Sequence, residues 1–142
     1  VLCKGMNNKN AYWQIGVDKP VENSSPGSKG FQFVVNVNNG AIATSGNYRK
    51  FYEKDGVKYA HTINPKTGYP VQHSLLSVTV AADKCVDADG YATAFMVMGM
   101  EHTKKFLNAN TELHLEVYLV ASTGKDAHEI WMTEGFQSLI VE

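Results

Sequence analysis

Apolar and polar residues alternate along most of this chain, the period of a strand that buries one face. Tyr12 to Val17 alternates in this way and halts before Pro20, while Phe31, Phe33, Val35 and Val37 mark one face of a second strand. Leu76, Val78, Val80 and Ala82 predict another. Leu113, Leu115, Val117 and Leu119 give the most regular one, opposite His114, Glu116 and Tyr118. His128 to Thr133 and Phe136 to Val141 predict two more. Tyr48 to Tyr52 and Val57 to Ile63 flank Asp55-Gly56, a pair suited to a type I′ turn because both central residues tolerate positive φ. That hairpin sets Glu53 against Lys58 and Tyr52 against Tyr59, so a charge pair and an aromatic pair favour the same register. Ala88 to Met100 breaks the alternation. It is apolar on nearly every face, and Glu101 to Asn108 follows it with helical propensity, which predicts two short helices, the first buried. The pattern therefore predicts an α+β fold, a largely antiparallel sheet with the two short helices packed on it.

The turn-forming stretch from Val21 to Gly30 is too short to divide domains, so residues 1–142 read as a single one. At 142 residues and 44% hydrophobic, the chain buries a sufficient core without disulfides or structural zinc. Thirteen Lys and Arg balance fourteen Asp and Glu, and Arg49 is the only arginine, which argues against a nucleic-acid partner. Cys3 and Cys85 lie outside any zinc-ligand spacing. No stretch reaches the length of a membrane span. The start, Val1-Leu2-Cys3-Lys4, is neither an initiator methionine nor a secretory apolar run, so the chain reads as cut at its front end.

Three segments concentrate small or oxygen-bearing residues beside apolar runs. Gly40 to Arg49 places small residues around Thr44 and Ser45, a composition that lets backbone amides approach a ligand and that also builds plain turns. His61 to Pro70 contains Pro65 and Pro70, which fix φ and bias Asn64 and Tyr69 towards extended conformations. A stiff loop directly after a histidine holds amides, a hydroxyl and an imidazole against an anion without an ordering cost, although a structural turn beside a surface histidine has the same sequence. Cys85 to Ala94 sets Asp89 and Thr93 one helical turn apart on a shared face. A carboxylate with a hydroxyl suits Mg2+, which takes few protein ligands and completes its shell with water and phosphate. Helix capping by Asp87 or Asp89, with Thr93 bonded back to the Asp89 carbonyl, is the competing explanation.

The order Gly-Ala-Ile-Ala-Thr-Ser-Gly-Asn-Tyr, His-Thr-Ile-Asn-Pro-Lys-Thr-Gly-Tyr-Pro, Val-Thr-Val-Ala-Ala and Ala-Asp-Gly-Tyr-Ala-Thr-Ala resembles the ApbE family of FAD:protein FMN transferases. The similarity runs from about Trp13 to the end of the chain. The family's proteins are longer, and their N-terminal half supplies part of the flavin pocket and a carbonyl ligand to the metal. The resemblance implies that Asp89 and Thr93 bind Mg2+. It also implies that His61 borders the pyrophosphate, as proton acceptor or as phosphate positioner, and that Thr44, Ser45 and Gly46 line the FAD site. Amides at Thr67 and Gly68 are expected as further anion contacts. The implied reaction moves FMN from FAD to a threonine hydroxyl of an acceptor flavoprotein and releases AMP. Hydrolysis of FAD on the same site and flavin binding without chemistry are its rivals.

The resemblance further implies an extracytoplasmic address, with any membrane tether in the part preceding Val1. The fragment alone is expected to be inactive and to self-associate through surface exposed by the missing half. Two departures stand out: Asn47 and Asn64 occupy positions where many members carry Asp, so a negative charge is lost at each. Asn39 to Thr44 also resembles the family's flavinylated acceptor motif but lacks its acidic first residue, which favours the enzyme side.

Overall fold

The computed structural model of the chain describes residues 1–20, 30–47, 51–54, 57–124 and 127–141, with the backbone alone for 51–54 and 57–60. Its strands are β1 (Leu2–Cys3), β2 (Trp13–Asp18), β3 (Phe31–Val37), β4 (Gly40–Gly46), β5 (Phe51–Lys54), β6 (Val57–Ala60), β7 (Leu75–Ala82), β8 (Glu116–Gly124), β9 (Ala127–Met132) and β10 (Ile140–Val141). Three helices, α1 (Cys85–Met98), α2 (Met100–Ala109) and α3 (Glu134–Leu139), accompany them.

Five strands pair in the order β1-β4-β7-β8-β9, three in the order β10-β3-β2, and β5 pairs with β6. All these ladders are antiparallel. Both faces of the main sheet are covered. Val78, Val80, Val117 and Leu119 pack on Phe95 and Met96 of α1 and on Leu107 of α2. On the opposite face Ile42, Tyr118 and Val120 meet Val17, Val35 and Val37 of the smaller sheet and Phe136 of α3. This double burial explains why Tyr118, expected on the polar side of its strand, is 4% exposed.

The hairpin register is the expected one, with Tyr52 opposite Tyr59 and Glu53 opposite Lys58. Its turn residues, Asp55 and Gly56, lie outside the described residues, as do residues 21–29 of the expected loop and Tyr48 to Lys50. Four differences from the alternation pattern have local causes. Gly40–Gly46, read as a turn-like segment, is a strand paired with β7 along its whole length. Leu113 closes a 3-10 turn that His114 caps in the left-handed conformation at φ +48°, so β8 begins only at Glu116.

Phe136 to Val141 forms α3 and the short β10 rather than one strand. Thr133 caps α3: its hydroxyl accepts the Phe136 amide proton at 3.3 Å and donates to the Glu116 carboxylate. Finally, α1 buries only one stripe, Ala88, Ala92, Phe95 and Met96, and leaves Asp89, Gly90, Thr93 and Ala94 exposed. Gly99 breaks α1 from α2 at φ +76°, a conformation that glycine adopts without strain. No helix among the described residues is long and apolar enough to cross a membrane.

Burial pushes the Tyr118 phenol above its ordinary value of 10.0, and a hydrogen bond from the Gln32 amide offsets part of that shift. The fold thus prefers the neutral phenol. Its contribution to stability is complete below the unfolded value, about pH 10, and is lost as pH rises through the higher folded-state value. Burial also raises the Cys3 thiol, which adds to the same alkaline loss. Thermal melts of Tyr118→Phe across alkaline pH should decline less steeply than those of the unaltered chain; superimposable declines would remove Tyr118 from this account.

Candidate functional site

Four elements meet around a cavity of about 760 Å3. β2 contributes its last residues, Gly16 to Asp18, and β4 contributes Thr44, Ser45 and Gly46. The segment after β6 supplies His61, Thr62 and Ile63, and α1 supplies Thr93, Met96 and Val97. A cavity of this size falls in the range that accommodates small molecules and cofactors.

Strand pleating places Thr44 and Ser45 on opposite faces of β4, and each hydroxyl has its own partner. Thr44 shares a hydrogen bond with Thr79 at 2.9 Å, within the sheet. Ser45 shares one with Thr93 at 3.1 Å and so ties β4 to α1 at the cavity wall. The Thr93 hydroxyl therefore turns to Ser45. A hydroxyl with one hydrogen bond keeps further lone-pair capacity for a cation.

Asp89 lies one turn before Thr93 on the stripe that continues to Val97, exposed, and outside the residues that line the cavity. Capping does not account for it. The N-cap of α1 is Lys84 and the acid of the first turn is Asp87. Asp89 and Thr93 present hard oxygens on one open face, a donor set that fits Mg2+ completed by phosphate and water. Among the described residues no group of three or more His, Cys, Asp or Glu gathers as a larger metal cage.

The His61 loop is held from within. The Asn64 side-chain oxygen accepts the Lys66 amide proton at 2.9 Å, and its backbone carbonyl accepts those of Thr67 and Gly68 at 3.2 and 2.8 Å. Tyr69 donates to the Thr67 hydroxyl at 3.3 Å, and Ile63 bridges to Pro70. Thr67 and Gly68 consequently spend their amide protons inside the loop and do not line the cavity. The loop is also tied to the end of β4, since the Thr62 hydroxyl donates to the side-chain oxygen of Asn47, the residue that follows the strand, at 2.8 Å. At Asn47 and at Asn64 alike, the atom in use is an acceptor oxygen. An amide supplies that as well as a carboxylate does, so neither departure from Asp removes a contact.

Asp18 was not foreseen from the sequence. It is the only carboxylate among the described residues that line the cavity, and the alternation of β2 that stops short of Pro20 marked its position. Ile63, Met96 and Val97 supply apolar walls that the motifs did not indicate.

Residues 1–119 match the model of the ApbE family. The FAD:protein FMN transferase of Escherichia coli K12 is 37% identical over 138 residues, 97% of this chain and 37% of that protein. That of Vibrio cholerae is 42% identical over 110 residues, 78% of this chain and 32% of that protein. Among solved structures, the flavin transferase ApbE from Vibrio cholerae superposes with a TM-score of 0.74 at 33% identity, covering 95% of this chain and 40% of that one. The ApbE protein from Thermotoga maritima gives 0.76 at 29% identity, covering 96% of this chain and 41% of that one. The chain thus spans well under half the length of the relatives it matches. On the strength of the family match and of these relatives, the chain belongs to the ApbE family.

Proposed function

We propose that this chain forms one side of a site that transfers FMN from FAD to a threonine hydroxyl of an acceptor protein. The observation that carries the reading is the convergence of Ser45, His61 and Thr93, from three separate elements, on one cavity. Relatives named FAD:protein FMN transferase support it.

In this reaction the threonine oxygen forms a bond to the phosphorus on the FMN side of the pyrophosphate. The bond from that phosphorus to the bridging oxygen breaks, and AMP leaves with the bridging oxygen. Such transfers depend chiefly on positioning and on charge stabilisation. Thr44, Ser45 and Gly46 bring a strand end against the dinucleotide, and Met96 and Val97 offer it an apolar surface. His61, which lines the cavity, takes the threonine proton in this reading. Asp89 and Thr93 would hold Mg2+, which when bound neutralises pyrophosphate charge. Thr67 and Gly68 serve the site by closing the loop that carries His61.

The test is mass spectrometry of a threonine-bearing acceptor incubated with FAD, Mg2+ and the chain extended to the full length of its relatives. The expected products are FMN-modified threonine and AMP. Free FMN with unmodified threonine would indicate a hydrolase instead, and unchanged FAD a passive flavin-binding module. In the same assay His61→Ala should slow transfer by about 10²-fold or more, the usual contribution of a proton acceptor, with FAD affinity nearly unchanged. An affinity that falls in step with the rate would make His61 a phosphate positioner.

A further inference from the structure

His73 closes the loop that begins at His61, and both of its ring nitrogens are engaged. The Leu75 backbone amide donates to Nδ1 at 3.3 Å, so Nδ1 carries no proton. Nε2 therefore bears the hydrogen and donates it to the Met96 carbonyl at 2.7 Å. That carbonyl belongs to the last turn of α1, where main-chain acceptors lack partners within the helix and where no basic residue is present. The neighbouring Phe95 carbonyl takes the Gly99 amide proton at 2.9 Å.

The ring has a fitted seat. A Cβ at Gly99 would come within 3.3 Å of the His73 Cδ2, so the residue that breaks the two helices also makes room for the imidazole. On its other side, His73 precedes Leu75, which is 2% exposed and starts β7. Ser74 is held by the Ser122 amide, which donates to its carbonyl at 2.8 Å. One neutral imidazole thus joins the start of β7 to the end of α1.

We infer that His73 is a positioning residue for the cavity, fixing the His61 loop and α1 relative to each other through a single tautomer. The loop lines the cavity at its front end, where Thr62 bonds Asn47, and its back end is tied to α1 through His73. Met96, whose carbonyl His73 holds, lines the same cavity, and Thr93 lies one turn before it. Fixing the back end of the loop to α1 therefore sets the spacing between His61 and Thr93. The link of this spacing to flavin binding rests on the function proposed above.

No other side chain donates from the ε position and accepts at the δ position in the same way. His73→Gln keeps a donor for Met96, and His73→Asn keeps an acceptor for Leu75; each cuts the bridge while retaining one of its bonds. Nitrogen NMR of the unaltered chain should show His73 neutral, with Nδ1 unprotonated and Nε2–H hydrogen-bonded. Both variants should move the backbone amide resonances of residues 61–63 and 93–97 together. In the chain extended to the full length of its relatives, both should also weaken FAD binding in Mg2+ by about fivefold, the equivalent of one hydrogen bond.

A protonated Nδ1 would overturn the inference. Resonance changes confined to residues 73–75 and 96 in either variant would overturn it as well, as would unaltered FAD affinity in a protein that binds FAD. If the chain extended to the full length of its relatives fails to bind FAD, the proposed function fails, and the resonances alone decide the role of His73.

Discussion

In the chain extended to the full length of its relatives, Asp89→Ala should abolish Mg2+-dependent FAD binding and FMN transfer while leaving the fold intact, if Asp89 holds the metal as proposed. Groups that merely support a metal ligand typically contribute about 10- to 100-fold in metal affinity, so loss of the carboxylate itself should cost at least that. Mg2+ is ordinarily held through one or two carboxylates, so the neutral Thr93 hydroxyl would not be expected to hold it alone. The fold does not depend on Asp89. The residue is exposed, lies beyond the first turn of α1 and is not the N-cap, so its removal should change stability by less than about 0.5 kcal/mol. Circular dichroism melts establish the second point, and flavin fluorescence at increasing Mg2+ establishes the first. A variant with the Mg2+ response of the parent would show that Asp89 holds no metal.

Phe95→Ala is expected to be the most damaging single substitution for stability, at about 3–5 kcal/mol. Phe95 is fully buried under the main sheet. Its ring meets Phe106 at 5.6 Å in an edge-on contact and Tyr91 at 5.6 Å, pairs that add to the burial itself. Removing it opens a void between α1, α2 and the sheet, and α1 carries Thr93 and Met96 into the cavity. Urea denaturation should therefore show a large fall in midpoint with little change in slope. A loss below about 1 kcal/mol would mean that the helix layer collapses into the space or is packed more loosely than described.

β3 was legible because Phe31, Phe33, Val35 and Val37 fall on one face, and β8 because Leu115, Val117 and Leu119 do, even though the fold buries Tyr118 between them as well. β4 was not. Gly40, Ala41, Ala43, Ser45 and Gly46 are too small to display a period, yet smallness is what lets the strand pass beside the cavity. α3 was hidden by Leu139, Ile140 and Val141, whose strand-like character masks a cap at Thr133 that is visible only once Phe136 and Glu116 are in place.

At the site, the motifs pointed to Thr44, Ser45, Gly46, His61 and Thr93, and the fold brings these around one cavity. Asp89 continues their helix stripe. The Thr67-Gly68 amides were plausible as anion donors only while their acceptor, the Asn64 carbonyl, was unknown. Asp18 reaches the cavity through the pairing of β2 with β3, a contact between strands that local sequence does not encode.

In the proposed function, the cavity receives a dinucleotide whose phosphates would complete the shell of a metal held by Asp89 and Thr93. Flavin fluorescence titration of the chain extended to the full length of its relatives, with FAD and either Mg2+ or a chelator, tests it most directly. Tighter FAD binding in Mg2+, by about tenfold or more, is the predicted result. Identical curves in Mg2+ and in chelator would contradict it.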